Sequence, residues 1–145
     1  MTTLQDVIDI GRSDHFLVVV STLRADETIQ SSVVNAGVLA HPIGGDDVVG
    51  FVTYGKTKLS NLRLRPHLSV TFRSGWQWAC VEGRAELIGP EDPHDGIDAE
   101  SLRLLLRDVF TAAGGTHDDW DAYDREMSEQ GRTVVLVSPT RLYSN

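Results

Sequence analysis

Cysteine is almost absent. Cys80 stands alone, so no disulfide can form within the chain, and a reducing compartment fits that usage. No apolar run approaches the roughly 18–20 residues that a bilayer-spanning helix requires. The opening MTTLQDVIDIGRSDHF has no basic start followed by a long apolar stretch, the usual form of a secretory signal. The expectation is a soluble, cytoplasmic protein. Side-chain catalysis also lacks its usual signatures. There is no G-x-S-x-G nucleophile elbow, no G-x-x-x-x-G-K-[ST] loop and no G-x-G-x-x-G fingerprint. The five histidines (15, 41, 67, 94, 117) stand singly, without ligand spacing, and read as surface or turn residues. Asp118, Asp119, Asp121 and Asp124 lack the glycine and glutamate of a calcium loop and read as the acidic start of a helix. Nothing in the chain performs chemistry alone, so an enzyme built this way needs a cofactor to carry the reaction.

What is present describes one ordinary globular domain spanning 1–145. Of the 145 residues, 41% are hydrophobic and 23% charged, enough apolar material for one core. The net charge of −8 argues against nucleic-acid binding. Its distribution is uneven: from Val48 to Val81 the chain carries Lys56, Lys58, Arg63, Arg65 and Arg73 and no acid. Such a stretch is either a local anion site or a cluster of solvated cations on a helix and a strand.

Leu4, Val7 and Ile8 have helical spacing. His15 to Leu23 is a continuous apolar, β-branched run and reads as a strand buried on both faces. After the polar turn 24–27, Thr28 to Ala40 returns as a second strand. The HPIGGDD loop (41–47) leads to a third strand, Val48 to Tyr54. A short helix over Lys58 to Leu64 stops before Pro66. His67 to Arg73 and Gln77 to Ile88 form two strands joined at Ser74-Gly75. Asp98 caps a helix whose Leu102, Leu105, Leu106, Val109, Phe110 and Ala113 form one apolar stripe. Thr116 is the expected cap of another helix reaching about Gln130. Thr133 to Val137 is the last strand, followed by a tail. Cys80, between Ala79 and Val81, reads as an inert core residue. Strands and helices do not alternate strictly, so a doubly wound parallel sheet is disfavoured. An antiparallel barrel of six to seven strands with flanking helices, its remaining apolar face covered by a second subunit, satisfies the pattern.

Three segments carry a resemblance. FLVVVSTLRADETIQSSVV, VVGFVTYGKTKLSNLRLRPHLSVTF and WQWACVEGRAELI together resemble the pyridoxamine 5′-phosphate oxidase-like split-barrel superfamily in order and spacing. Its K-x-x-N-L-R pattern looks most like the branch that uses coenzyme F420, a deazaflavin with a phosphate and an oligoglutamate tail. The resemblance implies a mainly β split barrel with α elements, working as a homodimer on a small-molecule substrate. It also implies an F420H2-dependent reductase that transfers a hydride to an enone, a quinone or a tetrapyrrole-like molecule. An FMN-binding flavin reductase or oxidase of the same fold, or a non-catalytic flavin- or deazaflavin-binding protein, are the alternatives. No residue other than the cofactor is implied as the hydride carrier.

By the same resemblance, Lys58 holds the cofactor phosphate, with Lys56 and Asn61 beside it. Ser31, Ser32 and Val33 match the strand that lines phosphate and ring, and Thr53 matches another lining position. Ser31 and Ser32 read alone are equally strand residues facing water, and Asn61 a helix-capping residue. Trp76 and Trp78 either stack on the ring system or pack at a subunit interface. Arg63, Arg65 and Arg73 are further cations within reach of an anionic tail. The segment 35–47 is longer than in the smallest proteins of that kind, which bears on the mouth of the pocket.

Overall fold

The computed structural model describes residues 1–145. Helix α1 (Leu4–Ser13) is followed by strands β1 (Leu17–Leu23), β2 (Ile29–Ala40) and β3 (Asp47–Thr53) and helix α2 (Lys56–Leu64). Strands β4 (His67–Ser74) and β5 (Gln77–Ile88), helices α3 (Ala99–Ala112) and α4 (Trp120–Glu129), and strand β6 (Thr133–Ser144) complete the order. The six strands close into an antiparallel barrel in the order β1-β2-β3-β6-β5-β4. The β4–β5 turn is tight because Gly75 takes a left-handed φ of 61°, a conformation that glycine adopts without steric cost.

Alternation along each strand makes two cores. Inside the barrel, Val18, Val20, Val49, Phe51, Val70, Phe72, Val81, Val135 and Val137 pack with Val7 and Ile10 of α1 and with Leu59 and Leu62 of α2. The second core lies outside, where Leu105, Leu106 and Val109 of α3 and Tyr123 of α4 cover Val48, Ile88, Val134 and Leu136. Helix α3 approaches closely enough that a Cβ at Gly37 would lie 2.2 Å from the carbonyl oxygen of Ala112.

Four sequence expectations need correction. First, β1 is not buried on both faces: Leu17 and Val19 are 41% and 42% exposed while Val18 and Val20 are buried. No helix of the chain lies over that part of the sheet, and the strand starts at Leu17 because His15 and Phe16 have positive φ. Second, α2 begins at Lys56 rather than Lys58. Third, α4 begins at Trp120 and is capped by Asp119, whose carboxylate accepts from the Ala122 N–H at 3.1 Å; Thr116 plays no such part. Fourth, the stretch after Val137 is not a tail. It continues β6 to Ser144 and pairs with β5, with a register shift at Glu82/Gly83 that seats Pro139 opposite Gly83. No helix is long and apolar enough to cross a membrane.

Candidate functional site: a buried lysine where two strands part

Strands β2 and β3 pair only from Ala36↔Phe51 to Ala40↔Asp47. Below Ala36, β2 pairs with β1 alone, while Val52 and Thr53 of β3 pair only with β6. The two strands therefore part at this end of the barrel. Helix α2 starts directly after β3 and turns Lys58, Leu59, Asn61 and Leu62 inward. Leu59 and Leu62 join the barrel core, and that packing fixes where the polar residues of the same face must point.

Lys58 is only 5% exposed. Its ammonium donates to Thr53 Oγ1 at 3.3 Å and lies 5.9 Å from the centroid of the Phe51 ring. A lysine ammonium has three donors; the others find no partner, and no carboxylate reaches salt-bridge distance. Burial holds its pKa below the ordinary lysine range. An ammonium out of water without a counter-ion is costly, so a fold that keeps one suggests an anion as the missing partner.

The surroundings suit one. Thr53 Oγ1 also accepts from the Gly55 N–H at 3.2 Å. Gly55 is the N-cap of α2 and supplies no side-chain cap, and the first turn holds no acid. In contrast, α1, α3 and α4 are capped by Thr3, Asp98 and Asp119. A Cβ at Gly55 would stand 3.5 Å from Thr53 Oγ1 and 3.9 Å from Lys58 Nζ, so the bare glycine leaves the backbone approachable beside both atoms. Uncapped N–H groups and a cation are what a phosphate requires. Further along α2, Asn61 Nδ2 donates to Thr22 Oγ1 at 3.0 Å, and Thr22 donates in turn to Gln30 Oε1 at 3.1 Å. On β2, the buried Ser32 hydroxyl has no hydrogen-bond partner, a rare state for a buried polar group.

No family model matches the sequence. The fold, however, has clear counterparts among solved structures. A conserved hypothetical protein of Mycobacterium tuberculosis aligns with a TM-score of 0.69 and 19% identity, over 99% of this chain and 84% of that one. A pyridoxamine 5′-phosphate oxidase-related, FMN-binding protein of Nostoc punctiforme aligns with a TM-score of 0.60 and 12% identity, over 99% and 86%. The chain folds as a pyridoxamine 5′-phosphate oxidase-like split barrel. A protein described as an F420 reductase shares that fold at a TM-score of 0.56 and 19% identity, over 88% of this chain and 89% of its own.

Within the split barrel, the expected site residues fall into two groups. Thr53, Lys58 and Asn61 stand at the end of the barrel where β2 and β3 part, and Ser32 lies in the parted stretch of β2, opposite Val20 of β1. Lys56 is exposed at the start of α2, in a shallow depression of about 460 Å3 with Ser60, Arg63 and Glu91. Ser31 and Val33 face outward: Ser31 Oγ pairs with Ser21 Oγ at 2.9 Å, and Val33 is 64% exposed opposite Val19. Trp78 lies at the α1 end of the barrel, edge-on to Tyr143 at 6.0 Å and in a hollow with Ile10 and Ser13. Within one chain it stands apart from Lys58.

The acid-free stretch of sequence is not acid-free in space. Arg63 makes a two-pronged pair with Asp92, at 2.8 and 2.7 Å, and Arg65 donates to the Leu23 carbonyl at 2.9 Å. Both are committed within the chain, whereas Lys58 has no carboxylate within salt-bridge distance. The fold also joins two histidines that the sequence keeps apart. His41 Nε2 and His94 Nε2 both meet Glu86 Oε2, at 3.3 and 2.9 Å. Spacing alone could not show that meeting, because 45 residues separate His41 from Glu86.

Proposed function

We propose that this chain is a flavin- or deazaflavin-dependent oxidoreductase and, at the finer level, an F420H2-dependent reductase of a small conjugated substrate. One observation carries the reading: Lys58 is a buried cation with no anion of its own, held at the uncapped start of α2 beside Thr53. The orphaned Ser32 hydroxyl supports it independently, since a bound cofactor offers the partner that the protein withholds. The donor set fits the phosphate that FMN and F420 share: an ammonium, a hydroxyl, and backbone N–H groups on a helix axis.

In this reading Lys58, Thr53 and the first turn of α2 hold the phosphate, and Asn61 keeps α2 against β1 through Thr22. Lys56, exposed at the same helix start, meets the more distal anionic part. The bound cofactor supplies two-electron hydride chemistry. The chain contributes position and a dry, low-dielectric surround.

We further propose that the working form is a homodimer. Leu17, Val19 and Leu23 of β1 and Ile29 and Val33 of β2 are 37–65% exposed on one sheet face. The chain's surface of 8113 Å2 also exceeds the roughly 7,400 Å2 typical of a monomer of this mass. Such a face suits a second copy better than water. A twofold partner is also the way for Trp78 to meet the cofactor of the other copy.

The test is a titration of cofactor-free protein with F420 and, separately, with FMN, followed by cofactor fluorescence. Tight F420 binding with weak FMN binding supports the reductase. Preference for FMN moves the chemistry to flavins; the Nostoc punctiforme protein that shares this fold is described as FMN-binding. Binding of neither refutes the reading.

A further inference from the structure

On the outer side of the strand that carries Thr53, helices α3 and α4 do not fill the space beneath them. A cavity of about 210 Å3 remains, walled by Val52, Val109, Phe110, Tyr123, Met127 and Arg132. Its lining is mostly apolar: Asn35 Nδ2 is spent on the His15 carbonyl at 2.9 Å, and the hydroxyl of Tyr123 on the Leu106 carbonyl at 3.0 Å. An apolar cavity of roughly 150 Å3 takes up benzene, so this one suits a single ring with a short arm.

Arg132 gives the cavity its chemical bias. Its guanidinium lies 3.8 Å from the centroid of the Tyr54 ring, and Tyr54 is 55% exposed, so the charge sits on the solvent side. Nε donates to Gln130 Oε1 at 2.8 Å. The two terminal NH2 groups make no hydrogen bond, and no carboxylate lies within salt-bridge distance. Arg103 and Arg107, the guanidinium groups of α3 above, are both committed to Asp124 at 2.8 and 2.9 Å. Arg132 therefore keeps two unspent NH2 groups, the donors that match a carboxylate. The lining also includes Ala113 at the C-terminal end of α3, where the helix dipole is negative. An anionic group is repelled there and drawn to Arg132, so a ligand with one ring and one carboxylate has a single favoured direction.

The cavity lies across β3 from the proposed cofactor anchor. Val52 and Thr53 are consecutive in β3, so their side chains point to opposite faces of one strand end, Thr53 toward Lys58 and Val52 into the cavity. We propose that this cavity is a ligand pocket, and that it selects a small planar hydrophobic molecule of one ring and a short arm ending in a carboxylate gripped by Arg132. Binding of the carboxylate does not depend on the reading of Lys58 as the cofactor anchor.

The experiment uses cinnamate as probe and the uncharged cinnamamide as control, each titrated into the cofactor-free chain and followed by amide NMR. Cinnamate is expected to shift the signals of Val52, Ala113 and Met127 saturably, about tenfold more tightly than cinnamamide, the effect of one charge-assisted contact. Arg132→Met should bring cinnamate down to the cinnamamide level and leave cinnamamide unchanged, which also reports that the variant is folded. Val52→Phe, which fills the cavity, should weaken both. Equal affinity of the two probes, no saturable binding, or an Arg132→Met variant that still prefers cinnamate overturns the proposal. Lys58→Met should leave cinnamate binding intact, so a failed cofactor titration and a failed cinnamate titration are distinguishable.

Discussion

Replacing Lys58 by methionine separates a ligand anchor from a structural lysine, because the two roles give opposite signs. Methionine keeps the length of the stem that packs beside Phe51 and removes only the ammonium. The hydrogen bond to Thr53 is lost, yet Thr53 Oγ1 still has the Gly55 N–H at 3.2 Å, so no orphan is created. A desolvated charge with no counter-ion disappears at the same time. The cofactor-free variant should therefore be as stable as the parent or more stable by about 1 kcal/mol. Binding moves the other way. A charge-assisted hydrogen bond contributes roughly 1.5–3 kcal/mol, so the Kd for F420 or FMN should rise about ten- to 150-fold. The pH dependence adds a second sign. Burial lowers the Lys58 pKa, so the unfolded chain holds that proton more tightly than the folded one. The parent then gains stability as pH climbs from the lowered value to the ordinary one near about 10.4, and the variant loses that gain. Urea titrations across alkaline pH and a fluorescence titration of cofactor are the assays. A variant that is clearly destabilised and binds cofactor as the parent does would refute the argument.

Three further outcomes follow from the fold. Gly37→Ala should cost about 1–3 kcal/mol in urea unfolding, since its Cβ would strike the backbone of Ala112 rather than a side chain that can turn aside. Asp119→Ala should cost about 1 kcal/mol through loss of the α4 cap, while Thr116→Ala should cost nothing measurable by the same assay. The hydrogen bond to Glu86 raises the His94 pKa. The stability that this pairing contributes is fully present below the ordinary histidine value of about 6.5 and is lost as pH rises through the raised value. Imidazole NMR titration of Glu86→Gln should bring the His94 midpoint back down.

Much of the architecture was legible because local and long-range signals agreed. The apolar stripe of α3 from Leu102 to Ala113, the Asp98 cap and the Ser74-Gly75 turn each follow from spacing and turn chemistry. Reading failed where a residue's partner lies far along the chain. Pro139 argues against a central strand, since it cannot donate to the ladder; a register shift opposite Gly83 absorbs it, and β6 runs on to Ser144. The apolar run of β1 suggested two buried faces, but apolar content alone cannot distinguish burial by the same chain from burial by a second one. At the site, the family pattern marks Thr53, Lys58 and Asn61, which stand at one end of the barrel, but also Ser31, Val33 and Trp78, which do not. Nothing local could show that Asp92 neutralises Arg63, or that Arg132 is left unpaired over Tyr54.

Strand β6 is the stave that closes the barrel: its first residues pair with β3 from Thr133 to Val137, and nearly its whole length pairs with β5. It is also the last element of this order to be synthesised. Until residues 133–144 have left the ribosome, β3 and β5 each present an open edge, and the apolar outer faces of Val48 and Ile88 lack their Val134 and Leu136 neighbours. The barrel therefore cannot complete its core stepwise from β1 and must close through contacts distant in sequence that form slowly. A stop codon or protease cut before Thr133 would leave two unpaired strand edges prone to pairing between molecules, so loss of the final strand should appear as aggregation rather than as a smaller folded protein.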